Sequence, residues 1–371
     1  MSRRGENIYR RKDGRWEGRS ITGHAENGRA TFRYFYGRSY REVKEKLRNQ
    51  NLQKQVPNQP QLRYGDILDA WLQSKRLCVK ESSYGKYRHT VDCYIRPHLD
   101  GCRACDLTTE LVVDYVQFLL QNGRRGGQGL APKTVQDILV IVKDTVSFAA
   151  DQGIRLPCRL EKMAVKQKTP EMRVFTRKEQ RKLTTFLLDD PDTYKLAVLL
   201  CLYTGLRIGE VCALRWSCID MDRRVLRVQA TVQRVRDPEQ GGGAKTKMLY
   251  SEPKSKCSIR DIPLPEQLLP LIERFRGRPD DFILSASMDR CPDPRALQHR
   301  FKRYLTLCGI EDANFHALRH TFATRCVENG FELKSLSEIL GHANVNITLN
   351  RYVHSSFALK KENMDRMVLL L

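Results

Sequence analysis

The sequence is short of acidic residues and has no long apolar run. Its 371 residues include 65 lysines and arginines against 43 aspartates and glutamates, which gives a formal net charge of +22. No stretch approaches the roughly 20 consecutive apolar residues that a membrane-spanning helix needs. The first residues, MSRRGENIYRRKDGRW, have no apolar segment after their basic residues. We therefore expect neither a secretion signal nor a membrane partner.

The excess of positive charge is spread over the whole chain. Residues 1–56 hold 15 basic and 6 acidic residues, residues 57–170 hold 17 and 12, and residues 171–371 hold 33 and 25. Such an excess predicts a polyanionic partner, with nucleic acid ahead of an anionic membrane surface. The length predicts two or three domains, and 41 % hydrophobic residues are enough for packed cores.

The twelve cysteines are scattered, and without an export signal they are expected to be reduced thiols. Cys102 and Cys105 form a CxxC pair, but a zinc site needs a second pair of ligands at suitable spacing. The nearby Cys93 and His98 meet that need poorly. We predict no bound metal and no cofactor.

Residues 1–56 are predicted to form a small DNA-binding domain of three β-strands and one helix. The strands are 7–11, 15–22 and 30–37, separated by Asx-Gly pairs that favour hairpins, and the helix is 40–50. Arginines alternate with aromatic residues, and a sheet of this kind can place arginines on bases or phosphates. The alternative is a solvated basic surface around an aromatic core. The predicted DNA contacts are Arg10, Arg15, Arg19 and Arg33.

Residues 62–156 are predicted to form an all-α domain, after a linker with two prolines at 52–61. Apolar residues recur there at helical spacing and give a bundle of four or five helices. One side of the bundle is a second candidate DNA surface, although each charge taken alone is also typical of a solvated helix face. Its basic residues are Lys75, Arg76, Lys80, Lys86, Arg88, Arg124, Arg125 and Lys133.

Residues 170–371 are predicted to form a mixed α+β domain that is mainly helical, after a second linker at 157–170. Helices are expected at 177–188 and 194–203, and strands at 224–233 and 258–263. Between the strands, three glycines at 241–243 predict a loop. Further helices are expected to begin at Glu266, Pro294, Ala317, Leu333 and Thr348.

Four short segments of this last region carry the chemistry. They are TGLRIGEVCAL at 204–214, EPKSKCSIRDIPL at 252–264, HALRHTFATRCVENG at 316–330 and LGHANVNITLNRY at 340–352. In this order and spacing the chain resembles the tyrosine recombinase (phage integrase) family. The resemblance implies an active constellation of Arg207, Lys254, His316, Arg319, His342 and Tyr352, with Glu210 supporting the first arginine.

Two positions leave alternatives open. The family's lysine lies eight residues before the strand-ending proline, whereas Lys254 and Lys256 lie nine and seven before Pro263. We choose Lys254 as the catalytic residue and Lys256 as a DNA contact, and Lys256 is the alternative catalyst. His320, next to Arg319, is interpreted as a packed, hydrogen-bonded histidine, and a catalytic role is the alternative.

The residue types suit phosphodiester cleavage. The transition state carries extra negative charge, which two fixed guanidinium groups can stabilise. Tyrosine has an ordinary pKa of about 10, and nearby cations with a histidine base favour its phenolate as nucleophile. A lysine on a mobile hairpin can protonate the leaving oxygen.

The resemblance also implies a layout and a reaction. Like the integrases of conjugative transposons and lambda-like phages, the chain would have an arm-type DNA-binding domain (1–56), a SAM-like core-binding domain (62–156) and a catalytic domain (170–371). It would cut double-stranded DNA through a 3′-phosphotyrosine and pass through a Holliday junction. It would act in the bacterial cytoplasm at the nucleoid, as a dimer and tetramer that exchange the C-terminal tail 357–371, with an excisionase as a further partner.

Three other functions are compatible with parts of the pattern. A type IB topoisomerase shares the chemistry but only relaxes DNA, and the separate N-terminal domain and linkers favour a recombinase. A DNA-binding protein with a decayed site is disfavoured because every active position holds a competent residue. A metal-dependent nuclease would need a carboxylate cluster, which the sequence does not suggest.

Overall fold

The computed structural model describes residues 7–11, 13–24, 30–54, 62–124, 126–167, 172–237, 246–252 and 256–352. The chain separates into two compact units, residues 1–167 and 168–371. Within the described ranges, no helix combines the length and the apolar character that crossing a membrane requires.

The first unit begins with a three-stranded antiparallel sheet of β1 (Ile8–Arg10), β2 (Trp16–His24) and β3 (Ala30–Gly37), in that order. Helix α1 (Tyr40–Lys54) packs on it and extends beyond the predicted end of the helix. Ile8, Val43 and Leu47 form a small buried core between sheet and helix. The predicted strands and helix are confirmed.

A helical bundle follows in the same unit. It consists of α2 (Tyr64–Cys78), α3 (Glu81–Thr90), a π-helical turn (Val91–Ile95), α4 (Arg96–Leu99), α5 (Thr109–Asn122) and α6 (Pro132–Asp151). The Thr108 hydroxyl accepts a hydrogen bond from the N–H of Leu111 and caps α5. Trp71 and Tyr64 are fully buried, and Tyr64 bonds Thr145 across the core at 2.5 Å.

The described part of the predicted second linker packs on this bundle. Cys158 and Leu160 are buried in its core. Lys143 Nζ donates to the carbonyl oxygen of Met163 at 2.5 Å, and the Val165 N–H donates to a side-chain oxygen of α6 at 2.8 Å. Residues 157–167 therefore extend the helical unit, and a free linker over that stretch is a wrong prediction.

The second unit contains eight helices and five strands among its described residues. The helices are α7 (Arg177–Leu188), α8 (Thr193–Thr204), α9 (Ile208–Cys212), α10 (Leu269–Arg274), α11 (Pro294–Leu307), α12 (His316–Glu328), α13 (Leu333–Leu340) and α14 (Val345–Tyr352). The strands are β4 (Ile219–Asp220), β5 (Val225–Val228), β6 (Thr231–Arg236), β7 (Thr246–Ser251) and β8 (Arg260–Pro263).

Helix α8 lies at the centre of this unit. Every residue from Leu196 to Leu202 is fully buried, so α8 is apolar on all sides. It packs against α7, α9, α11 and α12. Asp192 caps its N-terminus by accepting from the N–H of Lys195 at 2.7 Å. The C-terminal end of α8 therefore lies in a rigid core beside α12.

The predicted strand at 224–233 is two strands that belong to different sheets. β5 pairs with β4 and β8, whereas β6 forms an antiparallel hairpin with β7, a strand that was not predicted. Leu226, Val228, Ala230 and Val232 are all buried, so the alternation continues unbroken across the change of partner. The alternation of apolar residues in the sequence therefore cannot reveal the break between the two strands.

Candidate active site

Arg207 lies directly before helix α9, with its guanidinium held in place from two sides. Its backbone N–H donates to Glu210 Oε2 at 2.9 Å and its Nη1 donates to Glu210 Oε1 at 2.7 Å. Its Nη2 donates to the carbonyl oxygen of Gly341 at 3.3 Å. The side chain is still 35 % exposed, so a planar donor group is fixed in position and open to an anion.

Glu210 is buried between two arginines. Besides Arg207, it accepts from Arg260 Nη1 at 3.1 Å and from Arg260 Nη2 at 2.9 Å. Arg260 also donates from Nε to the carbonyl oxygen of Ile339 at 2.5 Å and from Nη1 to that of Ser258 at 3.1 Å. One guanidinium thus joins the start of β8, helix α9 and the end of α13.

The carboxylate of Glu210 is ionised at any working pH. Burial alone would raise its pKa, because a buried carboxylate loses its hydration. The hydrogen bond and charge of Arg260, with the charge of Arg207, outweigh burial and hold the pKa of Glu210 at about 2. The pair Arg207 and Arg260 therefore shares one permanent negative charge.

Arg319 is 1 % exposed and lies on α12, which packs against α8. Its Nη1 donates to the carbonyl oxygen of Gly205 at 2.8 Å and its Nη2 donates to that of Leu340 at 2.6 Å. Burial, with the charge of Arg207, lowers the pKa of Arg319 to about 9. The guanidinium is still protonated at neutral pH, and a bound anion would stabilise its charge.

Two glycines in the left-handed region place the carbonyls that these arginines use. Gly205 ends α8 with φ of 69°, and Gly341 ends α13 with φ of 63°. Left-handed caps of this kind favour glycine, and a Cβ at Gly205 would lie 2.6 Å from Phe322 Cδ1. The end of α8 thus orients Arg319, and the end of α13 orients both Arg207 and Arg319.

His342 follows Gly341, as predicted, and both of its ring nitrogens are engaged. Nε2 lies 3.0 Å from Arg319 Nη2, and Nδ1 lies 2.8 Å from the Thr348 hydroxyl. Because an arginine can only donate, Nε2 must accept, and the ring proton lies on Nδ1 facing Thr348. His342 is therefore a neutral ring held between α12 and α14.

Tyr352 ends α14 and is 5 % exposed. Its hydroxyl lies 2.9 Å from His320 Nδ1, and its ring lies parallel to that of His342 with centroids 6.5 Å apart. His316, one turn before His320, contacts the latter edge to face at 4.5 Å. The proposed nucleophile thus lies among three histidines.

A small cavity opens beside these residues. Its volume is about 140 Å³. His316 lines it, and two further lining residues flank Arg207 in the sequence. The lining residues are Leu206, Ile208, Gln298, Asn314, Phe315 and His316. Five of the six predicted catalytic residues are therefore gathered around the ends of α8, α12, α13 and α14.

The lysines of the hairpin are less completely placed. Lys254 lies outside the described residues. Lys256 begins the 3₁₀ turn Lys256–Ser258, which precedes β8. The choice between the two lysines stays a prediction.

The predicted DNA contacts of the sheet lie on both of its faces. Gly18 faces α1, so the alternation of β2 puts Arg19 on the opposite face, where its guanidinium lies 5.0 Å from the centroid of Phe32. Arg10 and Arg33 are exposed but lie, by strand alternation and register, on the same side of the sheet as α1. Arg15 is exposed and pairs with an aspartate two residues earlier at 2.8 Å.

The open face of the sheet also contains a carboxylate that was not predicted. Glu17 is 7 % exposed and accepts from the Tyr9 hydroxyl at 2.5 Å and from Arg11 Nη1 at 2.8 Å. Tyr34 and Tyr36, on the same face, are exposed. This face therefore combines ordered cations with exposed aromatic rings.

The predicted contacts of the bundle are mostly ion-paired. Lys75 Nζ lies 2.7 Å from Asp144 Oδ2 and joins α2 to α6. Arg88 and Lys133 each pair with an aspartate one turn further along, at 3.6 and 2.5 Å. Lys86 is exposed. Lys75 has a packing role that the sequence did not indicate, whereas the others lie on the surface as expected.

Among the described residues, His, Cys, Asp and Glu side chains form no group of three or more that could hold a metal ion. All twelve cysteines carry free thiols, and Cys102 and Cys105 contact their immediate neighbours.

Two models of known protein families match this chain. The model of the phage integrase family matches residues 173–358, and that of the phage integrase N-terminal SAM-like domain matches residues 64–120. The first match alone covers half of the chain and includes the whole site. The chain belongs to the phage integrase family. It is a tyrosine recombinase, an enzyme of site-specific DNA recombination.

Individual relatives of this integrase agree with the family match. A tyrosine recombinase XerC-like protein of Caldanaerobacter subterraneus subsp. tengcongensis is 29 % identical over 361 residues, 90 % of each chain. The Tn1549 transposon integrase in complex with transposon right end DNA gives a TM-score of 0.65 at 22 % identity, covering 82 % of this chain and 99 % of that one. A lambda integrase dimer bound to a COC′ core site gives 0.57 at 19 %, covering 95 % and 97 %. The predicted fold class is confirmed.

Two residues that contact the site of this integrase were not among the predicted site residues. Arg260 was visible only as part of the strand before Pro263, and its role depends on Glu210, 50 residues away. His320 was interpreted as a packed, hydrogen-bonded histidine, and its hydrogen-bond partner is Tyr352. Their position inside the recognised segments 252–264 and 316–330 was the one available signal.

Proposed function

We propose that this integrase inserts and excises a mobile element, such as a conjugative transposon, by cutting and rejoining double-stranded DNA. The convergence of Arg207, Arg319, His316, His342 and Tyr352 in a single site carries the proposal. The Tn1549 relative, solved with transposon DNA, supports the kind of element.

In this proposal the scissile phosphate binds Arg207 and Arg319. Arg207 is exposed and held by Glu210, while Arg319 is buried with its charge balanced mainly by carbonyl dipoles. A phosphate would supply the anion that Arg319 lacks. Fixed cations of this kind stabilise the charge that develops in the transition state without rearranging.

Tyr352 is the proposed nucleophile. Its phenolic oxygen forms a bond to phosphorus at the 3′ side, the bond to the 5′ oxygen breaks, and a lysine of the hairpin protonates that oxygen. The phosphodiester energy remains in the phosphotyrosine link. A 5′-hydroxyl from another strand can then rejoin the DNA without ATP, through a Holliday junction.

The other regions supply binding and assembly. We assign arm-type DNA to residues 1–56, with Arg19 on the open sheet face, and the core site to residues 62–156. The lambda integrase dimer on a core site supports self-association into dimers and tetramers. Exchange of the tail 357–371, which lies outside the described residues, an excisionase partner and action in the bacterial cytoplasm complete the proposal.

A covalent trap tests this function. A duplex with the core site and a nick near the cut position should accumulate a covalent protein–DNA adduct in EDTA, because diffusion removes the nucleotide that would reverse the reaction. Peptide mapping should find the nucleotide on Tyr352. Full recombination of two sites on a plasmid is the matched assay, and relaxation of supercoils without recombinants would indicate a topoisomerase instead.

The roles of Lys254 and Lys256 can be distinguished by changing the leaving group of the substrate. Replacing the bridging 5′ oxygen with sulfur removes the need for a proton, since a thiol has a pKa of about 8.5. We expect Lys254→Met to slow cleavage of the oxygen substrate by about 10²-fold and to cleave the sulfur substrate almost normally. Lys256→Met is the control and should cleave both well. The reverse pattern would assign the role to Lys256.

A further inference from the structure

The hydroxyl of Tyr352 is bonded to a histidine outside the set that the family resemblance implied. His320 Nδ1 lies 2.9 Å from the phenolic oxygen, and the two rings meet at 51° with centroids 5.7 Å apart. Both side chains are held by packed helices, since α12 contacts α14 and Tyr352 belongs to a buried cluster with Ala323 and Leu340. The contact is thus built into the fold.

The hydrogen-bond directions decide which histidine can take a proton. His342 accepts from Arg319 at Nε2 and donates to Thr348 from Nδ1, so neither of its nitrogens can accept from Tyr352 in this arrangement. At His320 the phenol is the natural donor, and Nδ1 then accepts while the ring proton lies on Nε2.

We propose that His320 is a catalytic residue of this integrase, the general base that receives the phenolic proton of Tyr352. The inference deepens the proposed function and rests on it. As the Tyr352 oxygen bonds to phosphorus, its proton passes to His320 Nδ1 and the ring becomes an imidazolium. The hairpin lysine gives its proton to the departing 5′ oxygen. The two proton transfers are therefore separate, and each proton has a donor and an acceptor.

His316 and Arg319 are the titratable neighbours of His320 within one turn of its own helix. The edge-to-face contact places the His316 ring against His320 with centroids 4.5 Å apart at 89°. Arg319 precedes His320 in the chain and is turned toward Gly205 and Leu340. On rejoining, the imidazolium returns its proton to the departing Tyr352 oxygen, which regenerates the starting state.

The test uses the full-length chain and the nicked core-site duplex. His320→Ala should bind DNA like the wild type but form adduct about 10²-fold more slowly at saturating DNA, the usual contribution of a general base. Added imidazole should restore much of the rate by entering the vacated space. His299→Ala, at an exposed histidine of α11, is the matched control and should be unaffected with or without imidazole.

A second variant separates proton transfer from positioning. His320→Asn can keep an acceptor oxygen near Nδ1 but cannot take the proton, so it should be slow as well. A wild-type rate in either variant would overturn the proposal. So would a faster rate, which would mean that His320 restrains Tyr352. Tyr352→Phe distinguishes failure of this inference from failure of the proposed function. An adduct formed by that variant would show that Tyr352 is not the nucleophile.

Discussion

Replacing Tyr352 with phenylalanine is expected to abolish the covalent adduct while core-site binding is retained. The change removes one oxygen atom from a side chain that is 5 % exposed and packed by Ala323, Leu336 and Leu340, so the ring should keep its place. The attacking oxygen is then missing, and loss of a nucleophile costs up to about 10⁶-fold in rate. Gel detection of adduct in EDTA, with a binding assay alongside, measures both parts.

The matched control is Tyr304→Phe. Tyr304 is also a buried tyrosine of the second unit, but it lies on α11 and belongs to the main core, a different cluster from that of Tyr352. We expect it to cut DNA at nearly the wild-type rate. If Tyr352→Phe still formed adduct, or if the two variants were equally inactive, Tyr352 would not be the nucleophile.

The sequence predicted most of the site because the site is built from short segments. His316 and Arg319 share one helix, and Gly341 and His342 share one helix end, so local spacing already placed them. Arg260 was missed because its partner is 50 residues distant, and nothing local marks a buried arginine. The direction of the His320 ring toward Tyr352 likewise depends on how α14 packs on α12.

The fold was predictable to the extent that each element has its own period. The strands of the first sheet are separated in the sequence by Asx-Gly pairs, and α7 begins and ends where its pattern does. The split between β5 and β6 was hidden because the buried alternation continues through Ala230. Residues 157–167 were polar enough for a linker, yet their backbone groups are bonded to Lys143 and Gln136.

Glu210→Gln should destabilise the second unit and impair cleavage together. The carboxylate neutralises Arg260, whose side chain is 6 % exposed, and it orients Arg207. Removing one partner of a buried ion pair leaves the other charge uncompensated, at a cost of about 3 to 5 kcal/mol. Chemical denaturation and adduct formation should both report the loss. Glu266→Gln, at an 83 % exposed residue that pairs with Arg224, should change stability little.

The pH dependence of this stability gives the sharper test. The folded pKa of Glu210, about 2, lies below the ordinary value of 4.5. Its contribution is therefore fully present above about pH 4.5 and is lost as the pH falls through 2, a span worth about 3 kcal/mol. The wild type should lose its advantage over Glu210→Gln across that window, whereas the difference between wild type and Glu266→Gln should stay small. A stability difference for Glu210→Gln that is constant from pH 7 to pH 2 would mean that the carboxylate is not held by Arg260 and Arg207.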